Sequence, residues 1–192
     1  MDTTWHEIAT IGLRWMHILG GILWVGMGLF MNFVHLAYMP ALDPPSRKAV
    51  ILGLVPRVLA FMIIGALVSL ASGLTLEAIA PPQTTEARTW LTFGSDLAFT
   101  IFFIGALVIV PNMLKVIKMV KNGEPPAPAL MKLLAFFSKL NAYLVVPMIF
   151  GMLAGAGHFG HPSLAAAAVV CVVGWAVVFL IFWKSTRVSI EV

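Results

Sequence analysis

The stretch Leu140–Pro162, "LNAYLVVPMIFGMLAGAGHFGHP", decides how this chain is read. It carries no charged side chain and closes on two histidines three residues apart, His158 and His161. An apolar run of about 20 residues crosses the hydrocarbon core of a bilayer as a helix. The composition around it agrees. The 192 residues are 60% hydrophobic and only 10% charged, where a soluble domain carries about 25% charge. So few polar side chains do not cover a water-facing surface, and the consistent solvent is lipid. A helix satisfies its own backbone hydrogen bonds there. A β-barrel would read as short alternating segments, and these runs are long and continuously apolar. The expected fold is an all-α integral membrane protein, a single domain over residues 1–192.

Working outward, five spans are expected: about Ile8 to Met39, Val50 to Ile79, Trp90 to Val120, Leu130 to His158, and Leu164 to Trp183. The first four exceed a minimal span, which predicts tilt or protrusion. The connections "PALDPPSRK", "APPQTTEAR", "KNGEPPAP" and "GHP" are short and mostly rich in proline. Short connections favour antiparallel neighbours, hence an up-and-down five-helix bundle. The N-terminal "MDTTWHEIATIG" has no basic region, and the apolar run after it is longer than a signal-peptide core, so it is expected to stay on the protein. The single cysteine, Cys171, has no intrachain partner and reads as a small apolar residue.

Charge sets the expected orientation. Arg47, Lys48, Arg57, Lys115, Lys118, Lys121, Lys132, Lys139, Lys184 and Arg187 share one side, against Arg14 and Arg88 on the other. Basic loops stay in the cytoplasm. That puts the N-terminus outside and the C-terminus inside, and predicts a bacterial inner membrane location. The net charge of +4 then reflects topology. The basic face is expected to meet the anionic lipid of the bilayer, and no nucleic-acid partner is expected.

Polar groups within lipid are costly and mark candidate sites. His6, His17, His158 and His161 fall on the expected outer side, and His35 near the other. His17 lies beside Gly20 and Gly21, with Gly26 and Gly28 further along the helix. Glycine in a membrane helix permits close approach of a neighbouring helix or a flat cofactor. A histidine beside such a face offers what a b-type haem needs, an axial nitrogen and room for the macrocycle. His158 follows "GMLAGAG" and lies at a similar expected depth, so a haem b held between His17 and His158 is one reading and helix packing the other. His35 follows His17 by eighteen residues, on the same face and about 27 Å away, with no evident histidine partner. His158 and His161 with His6 form an alternative Cu or Zn set. Asp96 lies within the third span, as an acceptor for a ligating histidine, a proton relay, or a water-facing residue. Asn32, Asn112 and Asn141 are expected to hydrogen-bond between helices, and Arg57 to snorkel to the inner face. No phosphate loop, GxSxG or CxxCH is present, and no catalytic residue is singled out.

Several stretches together resemble one family. "LRWMHILGGILWVGMGLFMNFVH" (Leu13–His35), through Arg14, Trp15, His17, Gly21, Trp24, Gly26, Asn32 and Phe33, is similar to the first span of the membrane region of cytochrome-c-linked bacterial urate oxidases. "LVPR" (Leu54–Arg57), "SGL" (Ser72–Leu74), "VIVPNMLKVI" (Val108–Ile117) and "SKLNAYLVVPMIFGMLAGAGHF" (Ser138–Phe159) resemble its later spans, in order. The family's enzymes carry a C-terminal cytochrome c domain, which these 192 residues do not contain, and Met113 stands where the family has Gln. The first span also resembles, more distantly, membrane protoporphyrinogen oxidases and copper-resistance membrane proteins. The resemblance implies a haem-linked membrane scaffold. Three functions follow as expectations: an electron-transfer protein exchanging electrons with a periplasmic cytochrome c or partner enzyme; a non-catalytic subunit of a homo-oligomer or respiratory complex; and an oxidoreductase acting on urate or a similar small molecule.

Overall fold

The computed structural model describes residues 3–157, 163–185 and 187. Among these the regular structure is entirely helical. Five helices are long and apolar enough to cross a membrane: α1 (Thr4–Ala41), α2 (Pro44–Ile79), α3 (Thr85–Lys121), α4 (Pro128–Gly155) and α5 (Leu164–Ser185). Their ends follow local chemistry. Pro44 and Pro128 open α2 and α4, where a proline's missing N–H has no intrahelical partner to lose. Thr84 caps α3, its Oγ1 accepting the Ala87 N–H at 3.1 Å.

The fourth span ends earlier than its composition suggests. The sequence places the end near His158, but α4 stops at Gly155 and the chain turns at Gly157, whose φ is +81°. Glycine adopts this left-handed conformation without a Cβ penalty, and it is the usual helix stop. His158 and His161 lie outside the described residues.

Residue pairs in contact fix the topology. Down α1 and up α2, His17 meets Ser69, and Gly20 meets Gly65 and Ser69. Down α3 and up α4, Leu91 meets Gly155, Gly94 meets Gly151, and Ile101 meets Asn141. Gly174 of α5 packs on Val146, and the Trp175 Nε1–H donates to the Tyr143 carbonyl at 3.0 Å. Rising numbers on one helix meet falling numbers on the next, so all three pairings are antiparallel.

The closest approaches are made by glycine. A Cβ at Gly20 would lie 2.8 Å from the Ser69 backbone nitrogen, and one at Gly94 would lie 2.7 Å from that of Met152. Small residues let membrane helices touch backbone to backbone. The bundle is therefore two intimate pairs, α1–α2 and α3–α4, joined by side chains. Trp24, Ala66, Ala98, Ile101, Val145 and Met148, drawn from all four helices, form the part of that joint next to the cleft, and clusters around Val55 and Val116 continue it toward the basic end. α5 lies on α4.

Outward faces are apolar along their length. Ile8, Ile11, Trp15, Leu19 and Ile22 of α1 are all more than half exposed, as are Val169, Val172, Phe179 and Leu180 of α5. A soluble monomer rarely exposes apolar patches of this extent, and lipid is their fitting environment. The ten basic residues grouped by the sequence fall toward the end where α1 terminates, α2 begins, α3 terminates, α4 begins and α5 terminates.

Two helices widen. Residues 31–35 of α1 and 104–109 of α3 adopt the looser π-helical turn, both in the half of the bundle nearer the basic end. Such turns are uncommon and often accompany functional sites.

Candidate functional site

At the His17 end the two helix pairs part. Between them opens a cleft of about 1290 Å³, bordered by α1, α2, α3 and α4. Pockets for drug-sized ligands measure about 300–1,000 Å³, so the cleft has room for a large flat molecule. Its walls are mainly apolar, from Ile18, Ile22, Leu70, Phe99, Met148, Met152 and Leu153, and its floor includes Trp24.

His17 lines this cleft and is half-buried. Its Nδ1 lies 2.8 Å from the Ser69 carbonyl oxygen. A carbonyl only accepts, so the bond assigns the proton to Nδ1 and leaves Nε2 with its lone pair. Nε2 has no hydrogen-bond partner among the described residues. The Ser69 hydroxyl donates back to the His17 carbonyl at 3.3 Å. The ring is also held sterically: a Cβ at Gly73 would come within 2.9 Å of both Cε1 and Nδ1. A ligating imidazole is commonly oriented in this way, with its distal N–H given to a carbonyl.

The remaining residues singled out by the sequence separate clearly. Gly21 lines the cleft, and a Cβ there would meet only the Ser69 Oγ, at 3.6 Å. Gly20, one position earlier, is packed onto the α2 backbone. His6 and Arg14 are exposed and line the cleft, with Glu77 across from them on α2. Asp96 is exposed and turned away, whereas its neighbours Ser95 and Phe99 line the cleft. Gly157 lines the cleft, and His158 follows it in the chain. The glycines of "GMLAGAG" play a structural part: Gly151 and Gly155 seat α4 against Gly94 and Leu91 of α3.

His35, near the opposite end, is buried. Of the Cu or Zn set, His6 alone falls within the described residues, and among these no group of three His, Cys, Asp or Glu is placed to share a metal ion. Arg57 turns its guanidinium onto the Gly53 carbonyl of its own helix. Only Asn141 among the three asparagines bonds between helices, to the Ile101 carbonyl at 3.2 Å. Asn32 and Asn112 instead donate to Gly28 and Val108, four residues back on their own helices. These two stand in and just after the widened turns.

The sequence alone does not mark Ser69 or Gly73 as neighbours of His17. Gly73 sits in the "SGL" stretch, which was the one available signal. Compared with known proteins, the chain matches no family model, no curated protein and no solved structure. Fold and site together define a five-helix bundle with membrane-length helices and a ligand-sized apolar cleft at one end.

Proposed function

We propose that the protein is a membrane electron-transfer protein that binds haem b in the cleft at the outer side of the bundle. The observation that carries the reading is the His17–Ser69 bond, which leaves the Nε2 lone pair of a cleft-lining imidazole available. The His17 imidazole and the apolar walls fit the group. His17 would hold the group, with His158, which follows the cleft-lining Gly157 in the chain, as the second ligand. Bound haem supplies one-electron chemistry whose potential depends on its axial ligands and on burial.

The chain's own residues do the rest. Ser69 fixes the imidazole tautomer, and Gly73 leaves space for the ring. Gly21 keeps the cleft wall open to a flat body, and Trp24 closes the floor. Arg14 supplies positive charge for the acidic edge of such a ligand, and His6 lines the same cleft. The similarity of Leu13–His35 and the later stretches to the membrane region of cytochrome-c-linked urate oxidases agrees with this reading. It suggests a periplasmic cytochrome c or a partner enzyme as the redox partner.

The test is a reduced-minus-oxidised visible spectrum of the detergent-purified protein, beside His17→Ala. A b-type band present in the wild type and lost in the variant supports the proposal. A wild type without the band, reconstituted with haem or not, overturns it.

A further inference from the structure

Below the cleft floor lies a second, smaller cavity of about 70 Å³. Trp24, Val25 and Leu29 border both spaces. The small cavity lies against both widened turns, with Met31 and Asn32 from α1 and Gly105 and Ile109 from α3 in its wall. Its polar groups come from Asn32, Asn141 and Ser138.

Two of these groups are unmatched. Asn32 is 6% exposed, and its Nδ2 donates to the Gly28 carbonyl at 2.9 Å. The Asn141 Nδ2 donates to the Ile101 carbonyl. Each amide is thereby oriented, because the opposite flip would set oxygen against oxygen. Both Oδ1 atoms are buried, and neither has a donor among the described residues. A buried acceptor without a donor is expensive, and two on the wall of one cavity call for a common guest.

We infer that this cavity is a built water site, holding water that bridges Asn32 and Asn141 and ties α1 to α4 beneath the cleft. The guest must bring hydrogen-bond donors, since both free atoms accept. It must be small. It must also be neutral, because no charged side chain lines the cavity among the described residues, and an unpaired charge at this depth is costly. Water meets all three conditions. The two amide oxygens and the Ser138 hydroxyl give it the two to four polar partners that a buried water usually has. The shared wall of Trp24, Val25 and Leu29 makes the cleft the natural route of supply.

The inference stands apart from the haem reading and is tested on the whole protein in detergent. Brief X-ray radiolysis makes hydroxyl radicals from water where it lies, and the cavity-lining Met31, only 8% exposed, is the reporter. Sulfoxide is expected at Met31 in the wild type. It should be lost in the Asn32→Leu, Asn141→Leu double variant, while Met131, 38% exposed in the first turn of α4 beside Lys132, keeps its labelling. Because Asn32 also holds the Gly28 carbonyl, Ser138→Leu serves as a second variant that fills the cavity and leaves both amides in place. It too should lose the Met31 label. An unlabelled Met31 in the wild type, or equal labelling in the wild type and Ser138→Leu, overturns the inference. So does a saturable rise in melting temperature with Na⁺, K⁺ or NH₄⁺ that Asn141→Leu abolishes, since the guest would then be a cation.

Discussion

The His17 imidazole and the Ser69 carbonyl meet at 2.8 Å across the α1–α2 interface, and Gly73, one turn along α2, leaves the space in which the ring lies. A carbonyl inside a regular helix already accepts one backbone N–H, but it has two lone pairs. The imidazole uses the second, at shorter range than the Ser72 hydroxyl, which also donates to this oxygen at 3.1 Å, so α2 keeps its helical bonds while it fixes the tautomer of a side chain on α1.

This arrangement makes Gly73 a positioning residue with a specific signature. Gly73→Ala would bring a methyl group to 2.9 Å from the ring, which is closer than carbon contacts allow, so the imidazole must move. If haem occupies the cleft as proposed, the expected outcome is loss or broadening of its difference band with helix content unchanged by circular dichroism. Asp96→Asn is the contrast: its side chain is exposed away from the cleft, and the band should be unaltered. A Gly73→Ala protein with the wild-type spectrum would remove the steric role of this position.

Gly20 and Gly21 are adjacent in sequence and opposite in consequence. Gly20→Ala forces a methyl against the Ser69 nitrogen at 2.8 Å and the Gly65 oxygen at 2.9 Å, both backbone atoms. Overpacking of this kind costs about 1–3 kcal/mol. Gly21→Ala meets only the Ser69 Oγ at 3.6 Å, an ordinary contact, and should be close to neutral. Thermal unfolding of the two variants in one detergent separates them.

That pair also marks what was legible in the sequence. The five helices were, because a long apolar run announces a span by itself. The antiparallel order followed from short loops. Which face of α1 turns toward α2 was not legible, because Gly20 and Gly21 look alike until the partner backbone is in place. Nothing in "MNFVH" or "IGALVI" marks the widened turns at 31–35 and 104–109, since hydrogen-bond spacing leaves no composition signature. The glycine neighbours of His17 mark it as a candidate in the sequence. Its tautomer was not legible, because Ser69 lies fifty-two residues away.

Orientation in the membrane is testable through the single cysteine. Cys171 is buried, so Cys171→Ala gives a cysteine-free background at the modest cost of a small side-chain change. Gln83→Cys between α2 and α3, and Asn122→Cys after α3, then report opposite ends of the bundle. With the ten basic residues facing the cytoplasm, an impermeant maleimide added to intact cells should label Cys at 83 and reach Cys at 122 only after lysis. The reverse pattern would invert the topology and move the cleft to the cytoplasmic side.

Trp24 concentrates the fold's dependence on one side chain. It is 8% exposed, packs edge-on to Phe102 with ring centroids 6.3 Å apart, and belongs to the cluster that joins α1 and α2 to α3 and α4. Two further clusters join the pairs nearer the basic end, around Val55 and Val116, and this cluster is the joint next to the cleft. Trp24→Ala should therefore cost about 3–5 kcal/mol, the range for a large aromatic removed from a packed core. It should also merge the cleft with the cavity beneath it, since Trp24 borders both. Trp24→Phe keeps the aromatic contact and should recover much of the lost stability. Unfolding midpoints of the two variants decide this: equal, small losses would mean that the helix pairs are held together elsewhere.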